Sequence, residues 1–123
     1  MSQDDERREA RAEILEQLFA VIEGRREERP EGSYVVTLLD GGWDAIAAKI
    51  SEEAQEVVDA GRDESDTALA HEVADLLFHV WVGLAARNVS PETVFAELAR
   101  RFGIGGHVEK ASRDAASTKD SEA

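Results

Sequence analysis

The chain has 123 residues, 42% of them hydrophobic, and its 27 acidic against 14 basic side chains leave a formal charge of -13. That length supports one modest domain with a limited core, and the charge repels nucleic acids and anionic membrane surfaces at long range. With no cysteine, disulfide staples, zinc fingers, iron-sulfur clusters and thiolate nucleophiles are excluded. Met1 to Arg11 are charged and lack an apolar stretch, and no run approaches the roughly eighteen apolar residues of a membrane span. A cytoplasmic protein that engages neither nucleic acid nor membrane is the expectation.

Three segments follow from punctuation and composition: a charged N-terminal extension over 1–11, a helical domain over 12–106, and an acidic tail over 107–123 that is expected to be disordered. Within the domain, Ile14, Leu15, Leu18, Phe19, Val21 and Ile22 recur at helical spacing and predict an amphipathic helix ending near Glu28. Pro30 and Gly32 break the period. Val35, Val36 and Thr37 favour strand by propensity, but a lone strand would have no partner in so helical a chain, so a short helix or turn is expected before Gly41-Gly42. Trp43, Ile46, Ala47, Ile50, Ala54, Val57 and Val58 then form one stripe of a helix over about 43–60, with Gly61 as its stop.

A polar connector leads to a helix over about 65–87, capped by Ser65 or Asp66 and ended by Asn88. It is apolar nearly all round, through Leu69, Val73, Leu76, Leu77, Phe78, Val80, Trp81, Val82 and Leu84, which calls for a central position or a subunit interface. Ser90-Pro91 opens a last helix to about Phe102, since serine caps and proline suits the first turn; Gly103 to Gly106 read as its terminator. The fold class is therefore all-α, a small helical bundle built on a central antiparallel pair, with homo-oligomerisation expected.

Two carboxylate pairs stand out, Glu53 with Glu56 and Glu72 with Asp75, each at i and i+3 and so on one face of its helix. In a chain this acidic, spacing alone proves little. Position adds weight: at 100° per residue, Glu53, Lys49, Glu56 and Glu52 lie about 60°, 100°, 120° and 160° from Ile50, so the first three flank the apolar stripe and Glu52 turns to solvent. On the next helix Ala68, Glu72, Asp75 and His79 make one polar stripe in a greasy cylinder, where unpaired charge would cost several kcal/mol per group (about that order). An antiparallel hairpin centred on Glu64 brings the two pairs level. Four converging anions repel one another unless a hard divalent cation such as Mg2+ joins them.

Blander readings stay open. The acids could form a solvated face, with Lys49 and Glu53 as an ordinary i, i+4 ion pair. His79 could be a core histidine with a hydrogen-bond partner, or a support for Asp75 one turn away. Glu72-Val73-Ala74-Asp75 ends in Asp where a di-iron bundle needs His, and His71-Glu72 fails the zinc-protease helix pattern at the same place. The Gly103 to Gly106 run has no following Lys-Ser or Lys-Thr and is no phosphate loop.

Glu52-Glu53-Ala54-Gln55-Glu56 followed by Glu72-Val73-Ala74-Asp75 resembles the EExxE and ExxD pattern of the MazG-like all-α nucleotide pyrophosphohydrolases. Pro30-Glu31-Gly32-Ser33-Tyr34, Leu38, Gly42, Lys49, Glu52 to Val57, Glu72 to Leu77 and His79 look like the phosphoribosyl-ATP pyrophosphohydrolase branch, which serves histidine biosynthesis. The likeness spans about Leu18 to Arg101. It implies a homodimeric helical enzyme that uses Mg2+ to hydrolyse 1-(5-phosphoribosyl)-ATP to the corresponding AMP compound and pyrophosphate. The implied roles are metal binding by Glu53, Glu56, Glu72 and Asp75, with His79 behind them; water activation by Glu52 or Glu53; and substrate contact by Lys49, Ser33, Tyr34 and Arg25. The alternatives are a dNTP pyrophosphatase of the same superfamily, sharing the metal site, or a non-catalytic acidic helical adaptor.

Overall fold

The structure, a computed structural model, describes residues 11–103, which form four helices and no strand. The expected extension over 1–11, apart from its last residue, and the expected tail over 107–123 lie outside the described residues. Two units are distinguished, one ending at Val89 and one beginning at Ser90.

In the first unit, α1 (Glu13–Glu28) has acids in its first turn and Arg25 and Arg26 in its last, the arrangement that complements the helix dipole. Arg29 closes it in the left-handed conformation, its N–H on the Arg25 carbonyl. Ser33 then caps α2 (Tyr34–Asp63), its hydroxyl oxygen accepting from Val36 N at 3.3 Å. The short helix expected near Ser33 to Asp40 is the first arm of α2. At Gly42, with φ 81° and ψ -179°, the chain kinks in a conformation only glycine adopts cheaply.

The second arm of α2 continues to Asp63, past the stop expected at Gly61. Gly61 lies inside the helix with α3 alongside; a Cβ there would make an ordinary contact with Leu69 Cδ1 at 3.7 Å. Ser65 caps α3 (Asp66–Ala86) by accepting from Ala68 N at 3.1 Å. Arg87 ends α3, and Asn88 follows in the left-handed region at φ 57°.

The second arm of α2 and α3 are the antiparallel pair. Trp43 covers Gly83, where an added Cβ would meet the indole at 3.2 Å, and Gly61 meets Leu69 at the other end. The core is Ile22 of α1, Val35, Leu38, Ile46 and Ala60 of α2, and Trp81, Val82 and Ala85 of α3. Polar groups inside it are satisfied: Trp81 Nε1 donates to the Leu15 carbonyl at 2.9 Å. Arg26 donates to the Ala85 carbonyl at 2.5 Å and to Asn88 Oδ1 at 2.8 Å, so α1 seals the C-terminus of α3. By length and composition alone α3 could cross a membrane; here it packs on α1 and α2 and carries His71, Glu72 and Asp75 along one side. Its cover is incomplete, because Val73 and Leu77 stay more than a third exposed.

The second unit contains α4 (Pro91–Phe102), with Ser90 as its cap, Pro91 in its first turn and Gly103 as a left-handed terminator whose N–H reaches the Ala99 carbonyl. Arg100 grips Glu97 through two nitrogens, at 2.6 and 3.1 Å.

Candidate functional site

One turn of helix separates Glu53 from Glu56 on α2 and Glu72 from Asp75 on α3, and the antiparallel register sets the two turns against each other. Oxygens of Glu53, Glu56 and Glu72 lie within 4.8 Å of one another. Asp75 joins through Glu72: it forms a second such group with Glu72 and His71, and its charge also acts on Glu53.

Glu53 is the innermost of the four, only 7% exposed, and its Oε2 is buried without a hydrogen-bond partner. Burial first, then the close approach of Glu56, then the charges of Asp75 and Glu72, push its pKa up to about 7. The Glu72 carboxyl is also raised, by desolvation and by Glu56. A buried anion with an orphaned oxygen, facing other anions, is unstable by itself. Hard oxygen donors converging from two rigid helices fit a hard divalent cation, which would neutralise the repulsion and occupy the orphaned lone pair. A solvated acidic face accounts for neither the burial nor the convergence.

Glu52 points away from this group, its side chain 54% exposed, and pairs with Lys49 at 3.5 Å. The ion pair of Lys49 is thus at i, i+3 with Glu52, and Glu53 is left to the cluster. The Lys49 ammonium has its pKa raised, chiefly by charge interaction with Tyr34 and next by Glu52.

His79 is buried, at 5% exposure, and reaches Asp75 through the backbone carbonyl, with Nδ1 2.8 Å from it, and not through the carboxylate. Its Nε2 meets the Tyr34 hydroxyl at 2.9 Å. Tyr34 also stacks on Phe78, with ring centroids 6.0 Å apart. The kink at Gly42 places Tyr34, at the start of α2, beside a histidine 45 residues later. Ser33 spends a lone pair on its helix cap and keeps its hydroxyl proton. Arg25 lies on the exposed side of α1, outside the hydrogen bonds and ion pairs that tie the other groups together.

The residue that sequence reasoning left without a role is His71. Its Nε2 lies 3.3 Å from Asp75 Oδ2, and it completes the second group of possible metal ligands. The signal was present as i, i+4 spacing from His71 to Asp75 on one helix face.

Residues 15–102 match the family model described as phosphoribosyl-ATP pyrophosphohydrolase. The chain is 50% identical over 100 residues to a phosphoribosyl-ATP pyrophosphatase of Trichlorobacter lovleyi, covering 81% of this chain and 93% of the relative. It is 44% identical over 104 residues to a protein of the same name in Geobacter sulfurreducens, covering 85% and 96%. A histidine biosynthesis bifunctional protein of Helicobacter hepaticus is 47% identical over 100 residues, which make up 81% of this chain and 43% of that longer relative.

Proposed function

The chain belongs to the phosphoribosyl-ATP pyrophosphohydrolase family, and from that premise we propose how its carboxylate cluster performs the reaction. It is a hydrolase of phosphoribosyl-ATP in histidine biosynthesis. Water adds across the α–β phosphoanhydride, releasing pyrophosphate and leaving the phosphoribosyl-AMP compound. The observation that carries the mechanism is the buried, unpartnered Glu53 oxygen among converging carboxylates.

Glu53, Glu56, Glu72 and Asp75 would hold Mg2+. When bound there, the ion supplies charge neutralisation and a grip on polyphosphate oxygens. Lys49, at the edge of the cluster, contacts phosphate as a point charge. Glu52 and Glu53 are the two candidates to take the proton of the attacking water. Ser33 offers its remaining hydroxyl proton, Tyr34 borders the same edge, and Arg25 makes a peripheral contact with substrate charge. The enzyme works in the cytoplasm as a homodimer without nucleic acid or membrane partners. The exposed apolar side chains of Val58, Val73 and Leu77 support the second subunit, and the net charge of -13 supports the absence of polyanionic partners.

The test is pyrophosphate release from phosphoribosyl-ATP, dCTP, dUTP and ATP, each with Mg2+ and with chelator. Phosphoribosyl-ATP is turned over fastest and only with the metal. Faster turnover of a dNTP overturns the substrate, and equal rates with chelator overturn the metal. Light scattering of the eluting protein checks the dimer, which a monomeric mass overturns.

A further inference from the structure

We infer that Tyr34 is a positioning residue: its O–H, donated to Nε2 of the buried His79, latches the arm of α2 before the Gly42 kink onto the turn of α3 that carries Asp75, and so fixes how Ser33 and Tyr34 are presented to substrate. The direction of the bond follows from counting protons. A backbone carbonyl only accepts, so the 2.8 Å contact between the Asp75 carbonyl and His79 Nδ1 puts a proton on Nδ1. A neutral imidazole has one proton, so Nε2 is an acceptor and the phenol donates to it at 2.9 Å. Both ring nitrogens of His79 are thereby used within the protein, and the phenol proton is committed to one of them. The pair has no hydrogen left to give to substrate, so its role is to hold two parts of the chain together.

The arm over 34–41 needs such a tie because the kink breaks the helical path, so the longer arm of α2 does not hold it in line. Val35 and Leu38 bury its apolar side, but apolar contact is non-directional and leaves the angle of the arm open. Two polar ties are present. Arg29 meets Asp40 at 2.8 Å near the kink, with both side chains more than half exposed, where an ion pair contributes little. Tyr34 meets His79 at the opposite end of the arm, in a partly buried and directional bond. The phenol ring has little slack: it stacks on Phe78 and stands edge-on to His79 with centroids 5.7 Å apart, and those two rings are themselves edge-on at 5.0 Å. Phe78 and His79 both lie one turn after Asp75. The start of the arm therefore takes its reference from the same stretch of α3 as the carboxylates.

The inference rests on the proposed contact of Ser33 and Tyr34 with substrate, so half of its test needs no turnover. Tyr34→Phe keeps the ring and removes only the donor. In the full chain, amide hydrogen exchange over 34–41 is expected to quicken by about threefold to tenfold in this variant, the range of one hydrogen bond, with the rest of α2 and α3 unmoved. Equal quickening in all helices, which general destabilisation gives, or no change over 34–41, overturns the latch. Nitrogen-15 spectra of the wild type are expected to show the His79 proton on Nδ1, and a proton on Nε2 overturns it too. With Mg2+ and phosphoribosyl-ATP, Tyr34→Phe is expected to raise KM by about threefold to tenfold while kcat holds. His79→Leu reproduces that rise, and Tyr34→Phe adds nothing in its background. His79→Gln, whose amide accepts from Tyr34 and donates to the Asp75 carbonyl, recovers most of the lost affinity. Multiplying effects in the double variant, or a fall in kcat at constant KM, overturn the inference. A wild-type chain that releases no pyrophosphate overturns the proposed function instead, and the exchange and spectra still decide the latch.

Discussion

The kink-proximal end and the middle of the antiparallel pair are built from the same helices and differ in what their contacts leave unfinished. At the end nearest the kink, Trp43 lies over Gly83, Ile46 and Val82 are wholly buried, and Arg26 satisfies the Ala85 carbonyl of α3. Midway along the pair, Glu53 is nearly as buried as Ile46 but faces Glu56 and Glu72 with an oxygen that nothing satisfies. Packing in the first region stabilises the hairpin. That stability holds four acidic groups together in the second, where an isolated helix pair would splay. A hard divalent cation, as proposed for this site, would relieve that tension.

Substitutions in the two regions separate these roles. Glu72→Gln is expected to lower the rate of pyrophosphate release on the order of a hundredfold or more, since a ligand and its charge are both altered. Its thermal midpoint in chelator should equal or exceed that of wild type, because a repulsion is removed. Ile46→Ala is expected to do the converse, with about 2–5 kcal/mol of stability lost by denaturant titration and the rate per folded molecule retained. A cluster mutant that unfolds while keeping its rate, or a core mutant that loses its rate while staying folded, would break the comparison.

Proton linkage gives a subtler test. The folded pKa of Glu53 is about 7, above its ordinary 4.5, so between those values the folded chain binds more protons than the unfolded one. Stability from this group therefore falls as pH rises from about 4.5 to 7 and stays low above that. Glu72 shifts in the same direction. In chelator, the thermal midpoint of wild type is expected to drop over that window more steeply than that of Glu53→Gln, and Mg2+ should restore it at pH 8. Parallel curves for the two proteins would remove the linkage. The smallest expected effect is that of Ser65→Ala, about 1 kcal/mol from the lost cap of α3, with equal activity in folded protein.

Much of this was legible in the chain. Ser65, Ser90 and Gly103 act as the caps and terminator that their residue types suggest, and Asn88 is left-handed. The pairing of Glu53 and Glu56 with Glu72 followed from helical spacing and a short connector. Gly61 does not end α2, because a glycine costs a helix interior only about 1 kcal/mol and the helix goes on packing against α3. His71 does not fit the zinc-protease pattern, and its role is set instead by Asp75 one turn away.

Local rules therefore settled where the helices begin and end and which side chains share a face, because capping and 3.6-residue periodicity act within a few residues. The tertiary structure decided which carboxylate is buried without a partner, that Lys49 pairs with Glu52, and that Tyr34 meets His79. Those outcomes depend on the bend at Gly42 and the register of two helices. Both place groups distant in the chain at hydrogen-bonding range, where burial and proton count, not spacing, determine what each group can do.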